Sequence, residues 1–181
     1  MRVVHQALTH APGVLCIVSV EDAQALWHLL QHRGTALGVS LVGWDALNIA
    51  RLEAGIPWFG IDFDESHLLP ETGLETLLAS DTKDCYVGQE IVARMQTYGS
   101  ANKKLMGLRL AGQRVPEADD RIVRGDDEVG RVTSACLSLA LGQPIALGFL
   151  KRGAYQPDIS VEVLHDNARL PATVTARPIV V

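Results

Sequence analysis

The pattern of apolar and polar positions changes near residue 100. Before that point, a short continuous apolar run is followed by stretches with helical spacing that end at glycine. After it, short apolar or alternating runs are separated by Gly, Pro, Asp or Asn, which is typical of strands joined by turns. The pattern therefore predicts an α+β chain with one domain over residues 1–100 and a second over residues 101–181.

The first domain is predicted to open with a strand that leads into a helix. The apolar run at residues 13–18 suits a buried strand, and Ser19 follows it as a candidate N-cap, with Asp22 three residues further on. The helix places apolar residues at helical spacing and is predicted to end at Gly34, which favours the left-handed conformation found after helix ends. We expect Trp27 of this helix to lie in the core.

A second helix is predicted over residues 44–54, because Gly55 and then a proline follow it. The next loop, residues 57–65, combines three aromatic residues with three acids. Two interpretations remain open, since such a loop can line a small-molecule pocket or can be held by its aromatic rings against the core. Two acids beyond it, Glu71 and Glu75, are predicted to be solvated.

The second domain is predicted to be a small antiparallel β-barrel. About eighty residues contain six runs with strand character, at residues 104–110, 121–124, 129–134, 145–150, 159–164 and 172–176. Short strands in this number favour a closed or nearly closed barrel, because closure removes exposed sheet edges. Asp126 and Asp127 supply the turn chemistry of a hairpin.

Composition narrows the classes of function. The formal net charge is −5, which argues against a nucleic-acid partner, because such proteins carry a basic excess or a basic stripe. Cys16, Cys85 and Cys136 are far apart and odd in number, so neither a disulfide framework nor a thiolate metal site is predicted. With no signal-peptide pattern and no apolar run of ~18 residues, we expect a cytoplasmic protein without a membrane partner.

The most informative stretch is residues 83–94, which read KDCYVGQEIVAR. Cys85 stands between Lys83 and the start of a predicted helix, and both a cation and a helix N-terminus lower the pKa of a thiol. An anion is expected to be stabilised there, either the thiolate or a ligand carboxylate. The alternative is that Cys85 is a small buried hydrophobic residue.

The rest of this stretch supplies polar groups. Gln89 and Glu90 carry the donors and acceptors that a polar heterocycle needs. Arg94 lies one turn beyond Glu90, so it can pair with that carboxylate or hold a ligand carboxylate with two hydrogen bonds. His28 and His32 lie four residues apart on the first helix, but the sequence offers no third metal ligand, and no metal site is predicted.

Three blocks taken in order resemble a known family: RLEAGIPWFGID at residues 51–62, KDCYVGQEIVAR at residues 83–94 and GRVTS at residues 130–134. They resemble the folate-binding YgfZ proteins, which share a superfamily with the glycine-cleavage T protein, an aminomethyltransferase. The resemblance implies a partial α/β folate-binding domain before the barrel, tetrahydrofolate or a derivative as cofactor, and Cys85 as the functional residue. It further implies that cofactor contacts come from Lys83, Tyr86, Gln89, Glu90 and Arg94.

Two features distinguish the branches of this superfamily. Aminomethyltransferases typically read Ala-Arg-Asp just before the first block, with an arginine tied to folate binding, whereas the corresponding residues here are Ala46, Leu47 and Asn48. The block around Cys85 is similar to the YgfZ signature, while transferases usually lack this thiol. One departure is Asp84, which stands where the family usually has glycine.

The resemblance implies a tetrahydrofolate-binding accessory protein for iron–sulfur cluster assembly or repair, with iron–sulfur client or assembly proteins as partners. The alternatives are a tetrahydrofolate-dependent aminomethyltransferase, which would make the chain an enzyme, and an inactive fragment or subunit. Members of the family have a long N-terminal part ahead of the matched blocks, and this chain begins after it. We therefore expect one of three explanations. The missing half is supplied by a separate chain, with a homo-oligomer as another possible assembly; the gene start has been placed too late; or the chain is a remnant.

Overall fold

The structure is a computed structural model that describes residues 1–79, 88–90, 93 and 101–180. The chain divides into two compact units, residues 1–51 and residues 52–181. The predicted domains over residues 1–100 and 101–181 stay a prediction.

The first unit contains a two-stranded sheet and the first helix. Strands β1 (Arg2–His5) and β2 (Val14–Ile17) pair antiparallel, and helix α1 (Val20–Gly34) follows. Ser19 caps α1 as predicted, because its Oγ accepts a hydrogen bond from the backbone N–H of Asp22 at 3.4 Å. A single 3₁₀ turn (Thr35–Leu37) and helix α2 (Trp44–Glu53) complete this part, which confirms both predicted helices. The predicted left-handed conformation of Gly34 is wrong, because Gly34 has φ −73° and the chain continues into the 3₁₀ turn, after which Gly38 has φ +73°.

The predicted burial of these elements is wrong. Every residue of β2 is exposed or half-exposed, and Trp27, which was expected in the core, is 52% exposed. Residues 1–50 are all described, and among them only Gly34 is buried. The sequence pattern gives these elements apolar faces, but the described chain offers nothing that covers them.

Two one-turn helices lie between α2 and the barrel: α3 (Leu69–Thr72) and α4 (Glu75–Leu78). Glu71 is 8% exposed rather than solvated. Its carboxylate accepts a hydrogen bond from the backbone N–H of Leu68 at 3.1 Å and lies 3.9 Å from Nζ of Lys103. Glu71 is therefore buried because it caps α3 and faces a cation.

The second unit contains a closed six-stranded antiparallel barrel, which confirms the barrel prediction. Its strands are β3 (Lys103–Leu110), β4 (Arg121–Arg124), β5 (Asp127–Leu137), β6 (Pro144–Lys151), β7 (Ser160–His165) and β8 (Ala168–Thr175). They follow the order β3-β6-β5-β4-β7-β8, and β8 pairs with β3 to close the ring. Alternate side chains point inward and form one apolar core that includes Leu108, Ile122, Val132, Leu150, Val163 and Val174.

Turns and close strand contacts explain two features of the barrel sequence. The β4–β5 hairpin turns at Gly125 and Asp126, one residue earlier than predicted, and Gly125 has φ +65°. A Cβ at Gly130 would lie 2.1 Å from the backbone oxygen of Phe149 on the neighbouring strand. Only glycine therefore allows β5 and β6 to approach this closely.

In the described part of the chain, no helix combines the length and the apolar character that crossing a membrane requires.

Candidate functional site

Asp62 joins two of the three sequence blocks. Its side chain is 2% exposed and accepts hydrogen bonds at Oδ1 from the hydroxyls of Thr133, at 2.7 Å, and Ser134, at 2.6 Å. Oδ2 accepts a further bond from the backbone N–H of Trp58 at 2.9 Å. The loop after α2 is thus fastened to the GRVTS segment of β5 by one buried carboxylate.

Glu53, in the same first block, provides a second attachment to the barrel. Its Oε1 accepts hydrogen bonds from Oγ of Ser138, at 2.7 Å, and from the backbone N–H of Ala140, at 3.0 Å. Its backbone oxygen accepts bonds from the N–H groups of Ile179 and Val180. One residue at the end of α2 therefore fixes both the β5–β6 connection and the C-terminal segment.

Arg177 holds this C-terminal segment from the other side. Its guanidinium donates to the backbone oxygens of Gly55, at 3.2 Å, and Thr72. Gly55 and Gly73 have φ +66° and +67°, and a Cβ at either position would meet the Arg177 side chain closer than 3.0 Å. Burial lowers the pKa of Arg177, while the negative charges of Asp62 and Glu75 act in the opposite direction.

A pocket of ≈ 520 Å³ lies beside Asp62. Residues 60–64 and His67 form one wall, and parts of β3, β5 and β6 form the others. Its lining contains the carboxylates of Asp62, Asp64, Asp119 and Glu128 and the cations of Lys103, Arg131 and Lys151. The barrel register explains the grouping, because Lys103 pairs with Lys151 and Arg131 pairs with Phe149 on neighbouring strands.

Phe149 and His67 form the aromatic part of this pocket. The two rings are stacked, with centroids 4.4 Å apart and an interplanar angle of 17°. Nζ of Lys103 lies 5.0 Å from the Phe149 ring centroid, a cation–π contact. Lys151 donates to the backbone oxygen of Glu128 at 2.8 Å. The two rings and the Lys103 cation therefore meet where the loop approaches β3 and β6, and they place aromatic edges and positive charge in the pocket lining.

Asp64 lies at the edge of this pocket and is fully ionised near neutral pH. Hydrogen bonds from the side chain and the backbone N–H of Ser66, followed by one from His67, lower the pKa of Asp64 from 3.8 to about 2. The Ser66 hydroxyl lies 2.6 Å from Oδ1 of Asp64, and Nδ1 of His67 lies 2.9 Å from the same oxygen. The carboxylate therefore orients the His67 ring that stacks on Phe149.

The pocket bears on the question left open for residues 57–65. Phe63 and Asp64 line the pocket, which is the geometry that the first interpretation expects, and binding of a small molecule there stays a prediction. Phe59 is 66% exposed and makes an edge-to-face contact with Phe63, with centroids 5.6 Å apart. Asp62 meanwhile holds the loop to the barrel through its carboxylate.

Most of the predicted site residues lie outside the described residues: Lys83, Cys85, Tyr86 and Arg94. Gln89 and Glu90 are described and are helical, with Gln89 half-buried and Glu90 exposed. The roles assigned to these residues stay predictions. Among the described residues, no group of three or more His, Cys, Asp or Glu side chains could hold a metal ion.

Sequence reasoning missed the residues that build the pocket. His67 and Phe149 are 82 positions apart, and only the tertiary fold brings their rings together. Phe149 is one of several apolar residues in a strand pattern, and nothing in that pattern marks it. The mixed aromatic and acidic loop at residues 57–65 was a usable signal for Phe63 and Asp64, and Asp62 at the end of the first block was a signal for the contact with the threonine and serine pair of the third.

The comparisons with known proteins agree with this architecture. Residues 103–180 match the glycine cleavage T-protein C-terminal barrel domain. The aminomethyltransferase of Corynebacterium aurimucosum is 32% identical over 171 residues, which cover 94% of this chain and 46% of that protein. The aminomethyltransferase of Streptomyces avermitilis is 31% identical over 144 residues, or 78% of this chain and 39% of that protein.

A solved structure shares the fold. The crystal structure of glycine cleavage system aminomethyltransferase T from Bartonella henselae matches 98% of this chain with a TM-score of 0.83 and 19% identity. The match covers 49% of that protein, so the chain spans about half the length of the relatives it matches. Together these findings support the glycine-cleavage T-protein superfamily for this chain, with residues 103–180 as the C-terminal barrel domain of that family.

Proposed function

We propose that the chain is a tetrahydrofolate-binding protein of the glycine-cleavage T-protein superfamily, and that the pocket beside Asp62 receives part of the folate. The observation that carries the proposal is the convergence of two sequence blocks on Asp62, next to a pocket that combines stacked rings with cations. The relatives in this superfamily are named aminomethyltransferases, which supports folate as the ligand class.

The chemistry of the pocket fits this ligand. Tetrahydrofolate has a heterocycle with N–H donors at one end and glutamate carboxylates at the other. The pocket offers carboxylate acceptors in Asp64 and Glu128 and cations in Lys103 and Lys151, so it has groups that complement either end of the molecule. The Phe149 and His67 rings add a flat surface for a planar group.

Two activities are compatible with folate binding. The first is aminomethyl transfer, in which bound tetrahydrofolate accepts a one-carbon unit. The names of the relatives support it, together with the shared fold of the Bartonella henselae protein.

The second activity is the YgfZ-type role in iron–sulfur cluster assembly or repair. Its support is the KDCYVGQE sequence at residues 83–90, with Cys85 as the functional thiol, and the absence of arginine at Ala46, Leu47 and Asn48. In this role the partners are iron–sulfur client or assembly proteins, and the compartment is the cytoplasm. Cys85 would act as a transient ligand or a reductant, because a single thiolate cannot hold a four-iron cluster alone.

Folate binding is tested with the full chain and a matched pair of lysine variants. Lys103→Met removes a cation from the pocket, whereas Lys104→Met changes the neighbouring residue of the same strand, which does not line it. Titration with tetrahydrofolate under anaerobic conditions should show about tenfold weaker binding for Lys103→Met and no change for Lys104→Met, because a charge-assisted hydrogen bond contributes about 1.5–3 kcal/mol. Equal affinities for all three proteins would refute the assignment of this pocket.

The two activities are separated by a second experiment. Transfer of an isotope-labelled methylene group to tetrahydrofolate by the purified chain would support the transferase. Rescue of a strain that lacks the YgfZ function, with loss of rescue in Cys85→Ala, would support the accessory role. A Cys85→Ala variant that rescues as well as the parent would exclude the thiol from that role.

A further inference from the structure

A further pocket, of ≈ 370 Å³, lies on the barrel and shares no lining residue with the pocket beside Asp62. Its walls come from β3, β4, β7 and β8, which are neighbours in the closed ring. We call it the β7–β8 pocket, because residues 160–162 and 171–173 of these two strands form most of its lining. The proposed folate site makes no use of it.

The strand register places a row of polar side chains along this pocket. Arg109 lies opposite Thr173, which in turn lies opposite Ser160. The flanking Leu108 and Leu110 belong to the apolar core, so Arg109 is on the outer face of the barrel. Side chains directly opposite one another on neighbouring strands share a face. One guanidinium and two hydroxyls therefore offer their donors on the same side of the sheet.

Arg109 is a half-buried cation that lacks a carboxylate partner in the described part of the chain. Its Nη2 donates to the backbone oxygen of Ile179, which is fully buried, and this bond holds the guanidinium in place. Its Nε is buried without a hydrogen-bond partner among the described residues. A cation that has lost part of its hydration and bonds only a neutral oxygen favours an anion nearby.

Arg124 adds a second cation to the same lining. It is exposed, and no acid of the described ranges forms an ion pair with it. Other arginines of the barrel are paired, because Arg131 lies 3.2 Å from Glu128 and Arg169 lies 2.7 Å from Glu162. Two arginines without acidic partners are thus brought together in one pocket.

The charge of Glu162, which also lines the β7–β8 pocket, is already compensated. Nη1 of Arg169 donates to Oε2 of Glu162 at 2.7 Å. Arg109 and Arg124 therefore leave the pocket with two uncompensated positive charges. A dianion matches them, whereas a single carboxylate would neutralise one guanidinium and leave the other without a counter-charge.

We propose that the β7–β8 pocket binds a small phosphate monoester. A phosphate monoester carries about −1.5 to −2 charges at pH 7 and presents three strong acceptor oxygens. A guanidinium can hold two of these oxygens with parallel hydrogen bonds, and the hydroxyls can donate to the third. The phosphate group is held by the four donor side chains of the lining: Arg109, Arg124, Ser160 and Thr173.

The pocket also has room for the organic part of such a ligand. Its volume falls in the range of small-molecule sites, about 300–1,000 Å³, and exceeds what a phosphate ion fills. Ala111, Val123 and Pro171 give the lining an apolar portion beside the cations. A compact organic group can therefore contact apolar side chains while its phosphate contacts the arginines.

The test follows the assigned amide NMR signals of the full chain during titration with phenyl phosphate at low salt, where charge interactions are least screened. We expect saturable shifts at residues 109–111, 123–125, 160–162 and 171–173, with a Kd of about 1 mM or tighter. Benzoate has the same ring but a single carboxylate, so it should bind at least about tenfold more weakly.

Arg124→Gln and Arg121→Gln form a matched pair of variants. Both remove one positive charge from an exposed position of β4, but only Arg124 lines the pocket. Arg124→Gln should raise the Kd about tenfold, and Arg121→Gln should change it by less than about twofold. Arg109→Lys keeps the charge but loses the planar fork, so it should also weaken binding. Unchanged signals from the barrel core would show that each variant is folded.

Three outcomes would overturn the proposal. The first is shifts that do not saturate, or that occur at the pocket beside Asp62 instead. The second is a variant, either Arg124→Gln or Arg109→Lys, that binds phenyl phosphate as tightly as the parent. The third is equal affinity for benzoate, because the site would then not distinguish a phosphate from a carboxylate. The titration contains no folate, so a failure of the folate proposal would leave these results unaffected.

Discussion

Removal of the Asp62 carboxylate should loosen the attachment between the first sequence block and the barrel. In Asp62→Ala, the hydroxyls of Thr133 and Ser134 and the backbone N–H of Trp58 each lose a carboxylate acceptor at 2.6–2.9 Å. A hydrogen bond to a charged group contributes about 1.5–3 kcal/mol, which gives an upper limit of about 9 kcal/mol for three.

Other hydrogen-bond partners of Thr133 and Trp58 make the expected loss of stability smaller than this upper limit. The Thr133 hydroxyl also reaches the backbone oxygen of Leu147 at 3.3 Å, so it retains an acceptor. Trp58 is half-buried, which allows water to reach its N–H after the substitution. We therefore expect Asp62→Ala to lower the free energy of unfolding by about 3–5 kcal/mol. Asp62→Asn keeps one acceptor oxygen but turns an NH₂ group toward a donor, so its loss should be about half as large.

The assay is urea unfolding followed by circular dichroism, with the free energy taken from linear extrapolation. Glu65→Ala is the matched control, because it removes an exposed carboxylate three positions along the same loop and should change stability by at most about 0.5 kcal/mol. A double-mutant cycle of Asp62→Ala with Ser134→Ala isolates the coupling free energy between these two residues. The reasoning fails if Asp62→Ala loses less than about 1 kcal/mol, or if the cycle shows no coupling between the two residues.

Three further changes have defined outcomes. Gly130→Ala places a Cβ 2.1 Å from the Phe149 oxygen, so thermal melts should show a loss of about 3 kcal/mol, and a change below about 1 kcal/mol would contradict the close approach. Arg177→Met keeps the aliphatic stem but leaves two backbone oxygens without their donor, which should lower the free energy of unfolding in urea by about 2–4 kcal/mol. An unchanged urea midpoint would show that Arg177 does not stabilise this segment. The pKa of Asp64 in the folded protein, about 2, lies below its ordinary value of 3.8, so its stabilising contribution is present above pH 3.8 and is lost as the pH falls toward 2. Carboxyl NMR titration should give a pKa of about 2 for Asp64 and a higher pKa in Ser66→Ala. An equal pKa in the variant would show that the Ser66 side chain does not lower the pKa of Asp64.

The elements that follow from local sequence were predictable. Ser19 with Asp22 marks a helix start, and Gly55 ends a helix because it adopts positive φ, so α1 and α2 lie where the pattern predicts them. The six barrel strands follow from alternation and turn residues alone. Local periodicity reports which face of an element is apolar, and here that information was sufficient for the two long helices and the barrel strands, but not for β1, α3 or α4.

Burial and the pocket were less predictable because they depend on distant residues. The pattern at β2 and at Trp27 was read as buried, yet an apolar face shows only that an element needs a cover and does not show that the described chain supplies it. Glu71 was expected in solvent, but the approach of Lys103 across more than thirty residues of sequence cannot be read from local spacing. The His67 and Phe149 rings are 82 positions apart in sequence, so no local pattern links them.

The closure of the barrel imposes an order in time on the pocket. β3 pairs with β8, so the ring begun at Lys103 is completed only by Thr175, near the end of the chain. The contacts of Arg177 and Ile179 with the loop after α2 come later still in synthesis. Long-range pairings of this kind fold slowly, so the barrel that carries three walls of the pocket closes only after β8 has been synthesised. Termination directly after Thr175 would remove Arg177 and Ile179, whose contacts fasten the segment after α2, while leaving every described barrel strand intact.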